Sequence, residues 1–416
     1  MESIIIYEDE GYRKLLPLTY NRPVFDLRCG INTIREKIVR EYNPKKIVLF
    51  SRDYLKETLL ESDSNSLINQ FTDESTLIIN GRLLANELKN KVPPDGEDCI
   101  YTCKGEIAAV RASADNLIKV LNSLKNLHLE KGINIKSKEI NVDIIEYFWN
   151  LIQNNSKEIK SDFSIINKKG DINGTIHENV NLINRSEIFI GQGTLIYPNV
   201  VIDAEEGPIY IGRNVKILSH TAIVGPVFIG DNSLVKVGSK IYEGTSIGEY
   251  CKVAGEIENS IIHSYSNKQH HGFLGHSYVG KWVNLGAGTS VSDLKNNYSS
   301  VKVNVNGEIV DSNFRFVGSF IGDHSKTGIN SMFNTGTVLG YSCNVFGAGF
   351  PPKYIASFIW GGTKSFTTYE PEKSIQTAKI VMSRRNISLT KTDEKLFHEI
   401  YRLTEKERTF FLQEHI

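Results

Sequence analysis

The chain has 416 residues, too many for one compact core, so two or three domains are expected. Lys and Arg number 48 and so do Asp and Glu, and a formal charge of zero gives no whole-chain argument for nucleic acid or an anionic membrane as partner. No run approaches the ~18 apolar residues of a membrane span, and MESIIIYEDEG ends its apolar stretch too early for a signal peptide, so a soluble cytoplasmic protein is expected.

Residues 1–160 alternate short apolar runs with helical patterns. SIIIYED, KKIVLFS and ESTLIING read as strands. TIREKIVREY reads as a helix, RLLANELKN as a helix start, and DIIEYFWNLIQNNSKEIK as a closing helix. Strands alternating with helices predict an α/β domain built on a parallel sheet. The five cysteines, Cys29, Cys99, Cys103, Cys251 and Cys343, are scattered without a C-x-x-C, which fits reduced structural thiols.

Residues 170–362 change character. Aliphatics fall at Ile211, Ile217, Ile223, Ile229, Val235, Ile241, Ile247 and Val253, every step being six residues. The beat occurs earlier at Ile190, Ile196 and Ile202, and resumes at Val279, Leu285 and Val291, then at Ile321, Thr327, Phe333, Leu339 and Val345. Gly212, Gly230 and Gly248 are spaced by eighteen, as are Gly322 and Gly340. Period six is neither helical nor simple strand alternation. It marks hexapeptide repeats, three to a triangular coil, and so a left-handed parallel β-helix whose coils stack into one core. The glycines are expected at corners where φ turns positive. The beat breaks at about 254–276 and 292–318, where loops are expected to leave the prism and carry binding groups. Residues 366–416 read as a helical tail, with a cap expected at Thr392–Glu394.

The break at 254–276 runs into NKQHHGFLGHSYVGKWVNLGAGT, residues 267–289. This segment, with LPLTYNRPVFDLRCG near the start and SFIWGG near the end, resembles the bifunctional GlmU-like family that makes UDP-N-acetylglucosamine. That family joins a nucleotidyltransferase to a β-helix acetyltransferase. The resemblance implies transfer of an acetyl group from acetyl-CoA to an amino-sugar 1-phosphate, nucleotidyl transfer from a nucleoside triphosphate with Mg²⁺, and a homotrimer. On its register His270 falls on the catalytic base. His271 falls one residue after it, Asn284 on the family's sugar-contacting Asn, and Ala287 on a residue that lines the acetyl-CoA site, with Gly286, Gly288 and Gly347 as further acetyl-CoA candidates, while Lys268 beside the histidines could hold the phosphate as a point charge. Phe273 stands where the family has a tyrosine that touches the sugar phosphate, and Asp293–Asn296 replace its N-Y-D-G. Arg22 is the candidate for the family's phosphate-binding lysine.

The chemistry of the residues agrees with a base at His270. An amine attacking a thioester must shed a proton, and histidine titrates near neutrality. Backbone N–H groups at 286–288 would suit the oxyanion. His276 is a second candidate at the same bend. The N-terminal half fits less well. EDEG offers one glycine and three carboxylates where triphosphate would lie, and Arg82 replaces the family's magnesium-binding aspartate. Asp95 and Asp98 are the nearby acids that could compensate. The alternative is a nucleotidyltransferase alone, with the prism as trimerisation or regulatory scaffold, or a non-enzymatic spacer.

Overall fold

The computed structural model describes residues 3–70, 76–113, 116, 117, 120 and 135–415. The first part is a mixed sheet of β1 (Ser3–Tyr7), β2 (Lys46–Phe50), β3 (Leu67–Ile68), β4 (Thr76–Asn80), β5 (Cys99–Cys103), β6 (Glu106–Ala112) and β7 (Ser137–Glu139), in the order β3-β2-β1-β4-β6-β5-β7. The pairs β1–β2, β1–β4 and β2–β3 are parallel, and β6 runs antiparallel to β4. Helix α1 (Ile34–Tyr42) starts at Thr33, whose side chain and Glu36 form a capping box. Helix α2 is Lys56–Ser62. RLLANELKN is helical only at its end, as α3 (Leu88–Lys91), because Arg82 and Asn80 are committed to polar contacts at the sheet edge. The closing helix, α4 (Phe148–Ile166), crosses to the prism. Phe148 packs on Phe320 with ring centroids 4.2 Å apart, and the Asn155 amide donates to the Gly244 carbonyl at 2.7 Å.

The prism has three parallel faces. On the first, Ile190, Ile211, Ile229, Ile247, Ile262, Val279, Ile321, Leu339 and Ile355 lie in register, one per coil. The second stacks Ile176, Ile196, Ile217, Val235, Val253 and Lys268, and after the Asn267–Asn284 and Asn284–Lys326 bridges it continues with Thr327 and Val345. The third stacks Leu182, Ile202, Ile223, Ile241, Ile257, Leu274, Val291 and Phe333. Nearly all these aliphatics are buried in one cluster, and each contributes roughly 1.5–3 kcal/mol by leaving water. This is the left-handed β-helix that the six-residue period requires.

Two expectations need correction. The glycines spaced by eighteen do not hold the positive φ, which falls two residues later, on Asn214 (54°), Asn232 (60°), Tyr250 (58°), His324 (60°) and Ser342 (52°). They are glycines because the next coil passes too close: a Cβ on Gly230 would lie 2.7 Å from the Gly248 carbonyl carbon, and one on Gly322 2.7 Å from the Gly340 oxygen. Nor does a loop leave the prism at 254–276. Strands at Glu256–Glu258, Ile261–Ile262, Asn267–Lys268 and Phe273–Gly275 keep parallel pairing throughout. The beat looked broken because this coil is shortened and Lys268 takes an inward position. The second excursion does leave, as an antiparallel hairpin of Lys302–Val305 and Glu308–Asp311, with Val303 and Val305 buried in the cluster that includes the N-terminal core.

The tail forms α5 (Pro371–Ser383), α6 (Lys391–Leu403) and α7 (Glu405–Glu414). The cap of α6 is Thr390, paired with Asp393, rather than Thr392. Helix α6 bridges the other two parts: Lys395 pairs with Glu57 of α2 at 2.9 Å, while Phe397 packs edge-on against His324 of the prism. All five cysteines are free and buried. Among the described residues no helix is long and apolar enough to cross a membrane.

Candidate active site

The corner between the second and third faces recurs in each coil at the same edge. Strand registers put residues 269–272, 286–289, 328–331 and 347–349 at that corner in successive coils, about 4.8 Å apart. His270 and His271 are exposed on the first of these corners. Gly286, Ala287 and Gly288 lie on the next, and Gly347, exposed and with φ of 106°, lies further down. The period thus brings the base candidate and the acetyl-CoA candidates onto one edge. Half-buried Phe273 follows the corner, and exposed Asn284 precedes the next.

What fixes the His270 corner is Lys268. Only 3% exposed, it points inward beneath Val253, where the beat has an aliphatic. Its ammonium donates to the carbonyls of Ala254 (3.0 Å), His270 (3.2 Å) and Gly272 (2.7 Å). Burial lowers its pKa to about 8. With all three donors spent on backbone, Lys268 has none left for a phosphate, and the substrate-binding role expected for it is withdrawn. Gly272, with φ of 118°, lies where any Cβ would overlap the Thr289 carbonyl oxygen. The imidazole of His270 makes no hydrogen bond among the described residues, so both ring nitrogens are open to a substrate.

The glycine turn is partly committed. The Gly286 amide donates to Thr327 Oγ1 at 2.9 Å, so it is not an oxyanion donor, and the remaining donors at this turn are Ala287 and Gly288. Asn284 accepts weakly from Asn267 Nδ2 at 3.5 Å and lines a cavity of about 350 Å³ between the second face and α5. Tyr250, Tyr265 and Trp282 stack in a ladder beside it, with centroids 4.9 and 4.4 Å apart.

His276 lies at a different corner, between the third and first faces. Its Nδ1 is 2.8 Å from Asp293 Oδ2, and its ring stacks on Phe316 at 5.1 Å. A carboxylate-oriented imidazole is a usable base. It lies off the edge that carries Ala287 and Gly347.

Arg22 is already held by a carboxylate. Buried, it forms an ion pair with Asp323 of the prism, and its partner Asn21 bonds the same carboxylate at 2.9 Å. Desolvation of the guanidinium is met by that carboxylate, so Arg22 ties the two parts together. At the carboxyl ends of β1 and β4, Arg82 donates to Asp9 Oδ1 at 2.7 Å and Oδ2 at 2.6 Å, and also to Glu106. Its guanidinium fills the space over Gly11, where the family's triphosphate loop would open. The acids of this edge therefore hold a guanidinium and do not fit a divalent cation. Asp98 caps Ser113 and Asn116, and with Asp95 it lies at the opposite end of the strands, beside Ser3 and Thr76, so neither acid compensates.

An exposed histidine and a glycine turn on one edge of a hexapeptide prism, joined to a nucleotidyltransferase-like sheet, define a two-part transferase. The sugar nucleotidyl transferase family matches residues 4–171. The bifunctional sugar-1-phosphate nucleotidylyltransferase/acetyltransferase of Sulfurisphaera tokodaii is 31% identical across 83% of this chain and 96% of its own. The bifunctional protein GlmU of Methanococcus aeolicus is 31% identical across 82% of this chain and 92% of its own, and that of Methanocaldococcus jannaschii 24% across 82% and 93%. A solved UDP-N-acetylglucosamine acyltransferase, 15% identical over 50% of this chain and 76% of its own, superposes with a TM-score of only 0.25, and no argument rests on it. The chain belongs to the bifunctional sugar-1-phosphate nucleotidylyltransferase/acetyltransferase family and is a transferase.

Proposed function

We propose that this chain transfers an acetyl group from acetyl-CoA to the amine of an amino-sugar 1-phosphate, with His270 as general base. The supporting observation is the shared edge: His270, Ala287 and Gly347 lie along one corner of the prism, so a thioester laid along it passes beside the imidazole. His270 takes the proton as the amine nitrogen bonds to the thioester carbon. The Ala287 and Gly288 amides face the developing oxyanion. The carbon–sulfur bond then breaks, and the departing thiolate receives the proton from His270. Asn284 and Phe273 border the sugar, and His271 the entrance.

The family match over 4–171 favours nucleotidyl transfer from a nucleoside triphosphate to the sugar 1-phosphate as a second activity. Asp9 and Glu106 hold Arg82 and so offer magnesium no free carboxylate at this edge. We infer a cytoplasmic homotrimer. Exposed Ile329, Met332, Phe346 and Trp360 at the edge and on its flanking faces support a prism-to-prism interface.

The test is thiol release from acetyl-CoA with glucosamine 1-phosphate as acceptor. Free coenzyme A is the expected result. Its absence, with UTP or dTTP still consumed alongside a sugar 1-phosphate, would make the prism a scaffold.

A further inference from the structure

The cavity beside Asn284 has an unusual charge inventory. Lys252 and Lys326 enter it from the second face, and Arg384 and Arg385 from the end of α5; no carboxylate lines it. Lys326 Nζ donates to the His324 carbonyl at 2.7 Å, and Arg385 to Asn267 Oδ1 at 2.9 Å. Among the described residues neither Lys252 nor Arg384 forms an ion pair with an acid.

Four cations around about 350 Å³ repel one another unless an anion sits among them. The repulsion is legible at Lys252, whose pKa is lowered first by burial and then by Arg385 and Arg384. Burial lowers Lys326 to about 8. Arg384 is exposed and Lys252, Lys326 and Arg385 are half-buried, so an anion can enter among them, and among the described residues no acid forms an ion pair with any of the four.

The cavity's place says which anion. Gln269, the neighbour of His270, and Asn284 both line it, so its contents lie beside the base. Arg385, Asn267 and Asn284 form one hydrogen-bonded row from α5 to that point. At the other side of the corner stands Phe273, which has no hydroxyl to offer a phosphate, and Lys268 is spent on backbone.

We propose that Lys252, Lys326, Arg384 and Arg385 form the phosphate-recognition site for the phosphorylated substrate of the prism, replacing contacts that Phe273 and Lys268 do not make. The proposal rests on the acetyl-transfer reading and deepens it. The shared chemistry is a phosphate ester, from the sugar 1-phosphate or from the phosphates of coenzyme A, and the tail becomes part of the active site.

The test compares the native chain, the Arg384→Gln/Arg385→Gln variant and the Arg384→Lys/Arg385→Lys variant in thiol release. KM for glucosamine 1-phosphate is expected to rise tenfold or more in the glutamine variant, with kcat within about threefold and most of the loss restored by lysine. Use of unphosphorylated glucosamine should be unchanged. A rise confined to KM for acetyl-CoA, and absent with acetyl-pantetheine, would assign the site to the donor's phosphates. Unchanged KM for both substrates would overturn the proposal. If the native chain releases no thiol, the acetyl-transfer reading fails. Calorimetry with glucosamine 1-phosphate then decides the site alone: binding weakened tenfold in the glutamine variant supports it, and equal binding sinks it.

Discussion

Lys268 shows how one side chain can break a sequence pattern and still serve the pattern's fold. It sits inward, fifteen residues on from Val253, and converts the missing aliphatic contact into three hydrogen bonds, two to the corner that carries His270 and one to Ala254 of the coil above. Lys268→Met keeps the volume and leaves the Ala254 and His270 carbonyls without their donor, at roughly 1–3 kcal/mol for each that water cannot reach, while the Gly272 carbonyl still accepts from the Glu256 amide at 3.2 Å. The expected outcome is a loss of about 2 kcal/mol or more in urea unfolding, together with a drop in kcat as the corner loosens. His324 carries one part of the pH dependence, beside His263, whose imidazole burial also holds well below its usual range. Buried against Phe397 and Tyr341, it is pushed down to about 3, first by burial and then by Lys326. Its folded pKa lies below the unfolded value, so the unfolded chain takes up the proton first. The contribution to stability is complete above about pH 6.5 and lost as pH falls toward 3, at about 1.4 kcal/mol per unit. Between pH 6.5 and 5, His324→Gln should remove about 2 kcal/mol of the native chain's loss of unfolding free energy.

At the scale of elements, the corners decide the geometry. Gly272 combines a φ of 118° with a carbonyl of the next coil directly against its Cα. Gly272→Ala should cost about 1–3 kcal/mol from backbone strain alone, and more from the clash, read as a lowered melting temperature. The prism was legible in the sequence because inward side chains recur every six residues whatever the corners do. The shortened coil was not legible, since Lys268 removed its beat and parallel pairing leaves no local mark. His270, Ala287 and Gly347 could be placed because spacing alone sets a residue's corner. Arg384 and Arg385 could not, because they reach Asn284 through the packing of α5, about a hundred residues later. Arg82 could be seen to replace an aspartate, but only the structure puts its guanidinium between Asp9 and Glu106.

The whole molecule is held together across its three parts. Arg22–Asp323 and Arg28–Glu249 join sheet to prism, and α6 joins both. Among the exposed apolar side chains of the described residues, one group lies along the edge that carries Ala287. Ile329, 73% exposed, lies on the corner directly below Ala287, beside exposed Met332 and Phe346. A trimer that covers this edge would also cover the corner proposed for acetyl-CoA. Ile329→Asp should therefore convert a trimer to monomer in light scattering and raise KM for acetyl-CoA, while an unchanged mass would put the interface elsewhere.

We propose His270, and not the carboxylate-held His276, as the base. The direct measurement is kcat/KM for thiol release with glucosamine 1-phosphate in His270→Ala and His276→Ala, taken side by side. The expected result is a loss of roughly a hundredfold or more for His270→Ala, within the 10²–10⁴ span of general-base catalysis, and a loss under about tenfold for His276→Ala. The reverse order would move the chemistry to the His276–Asp293 corner and rule His270 out as the base.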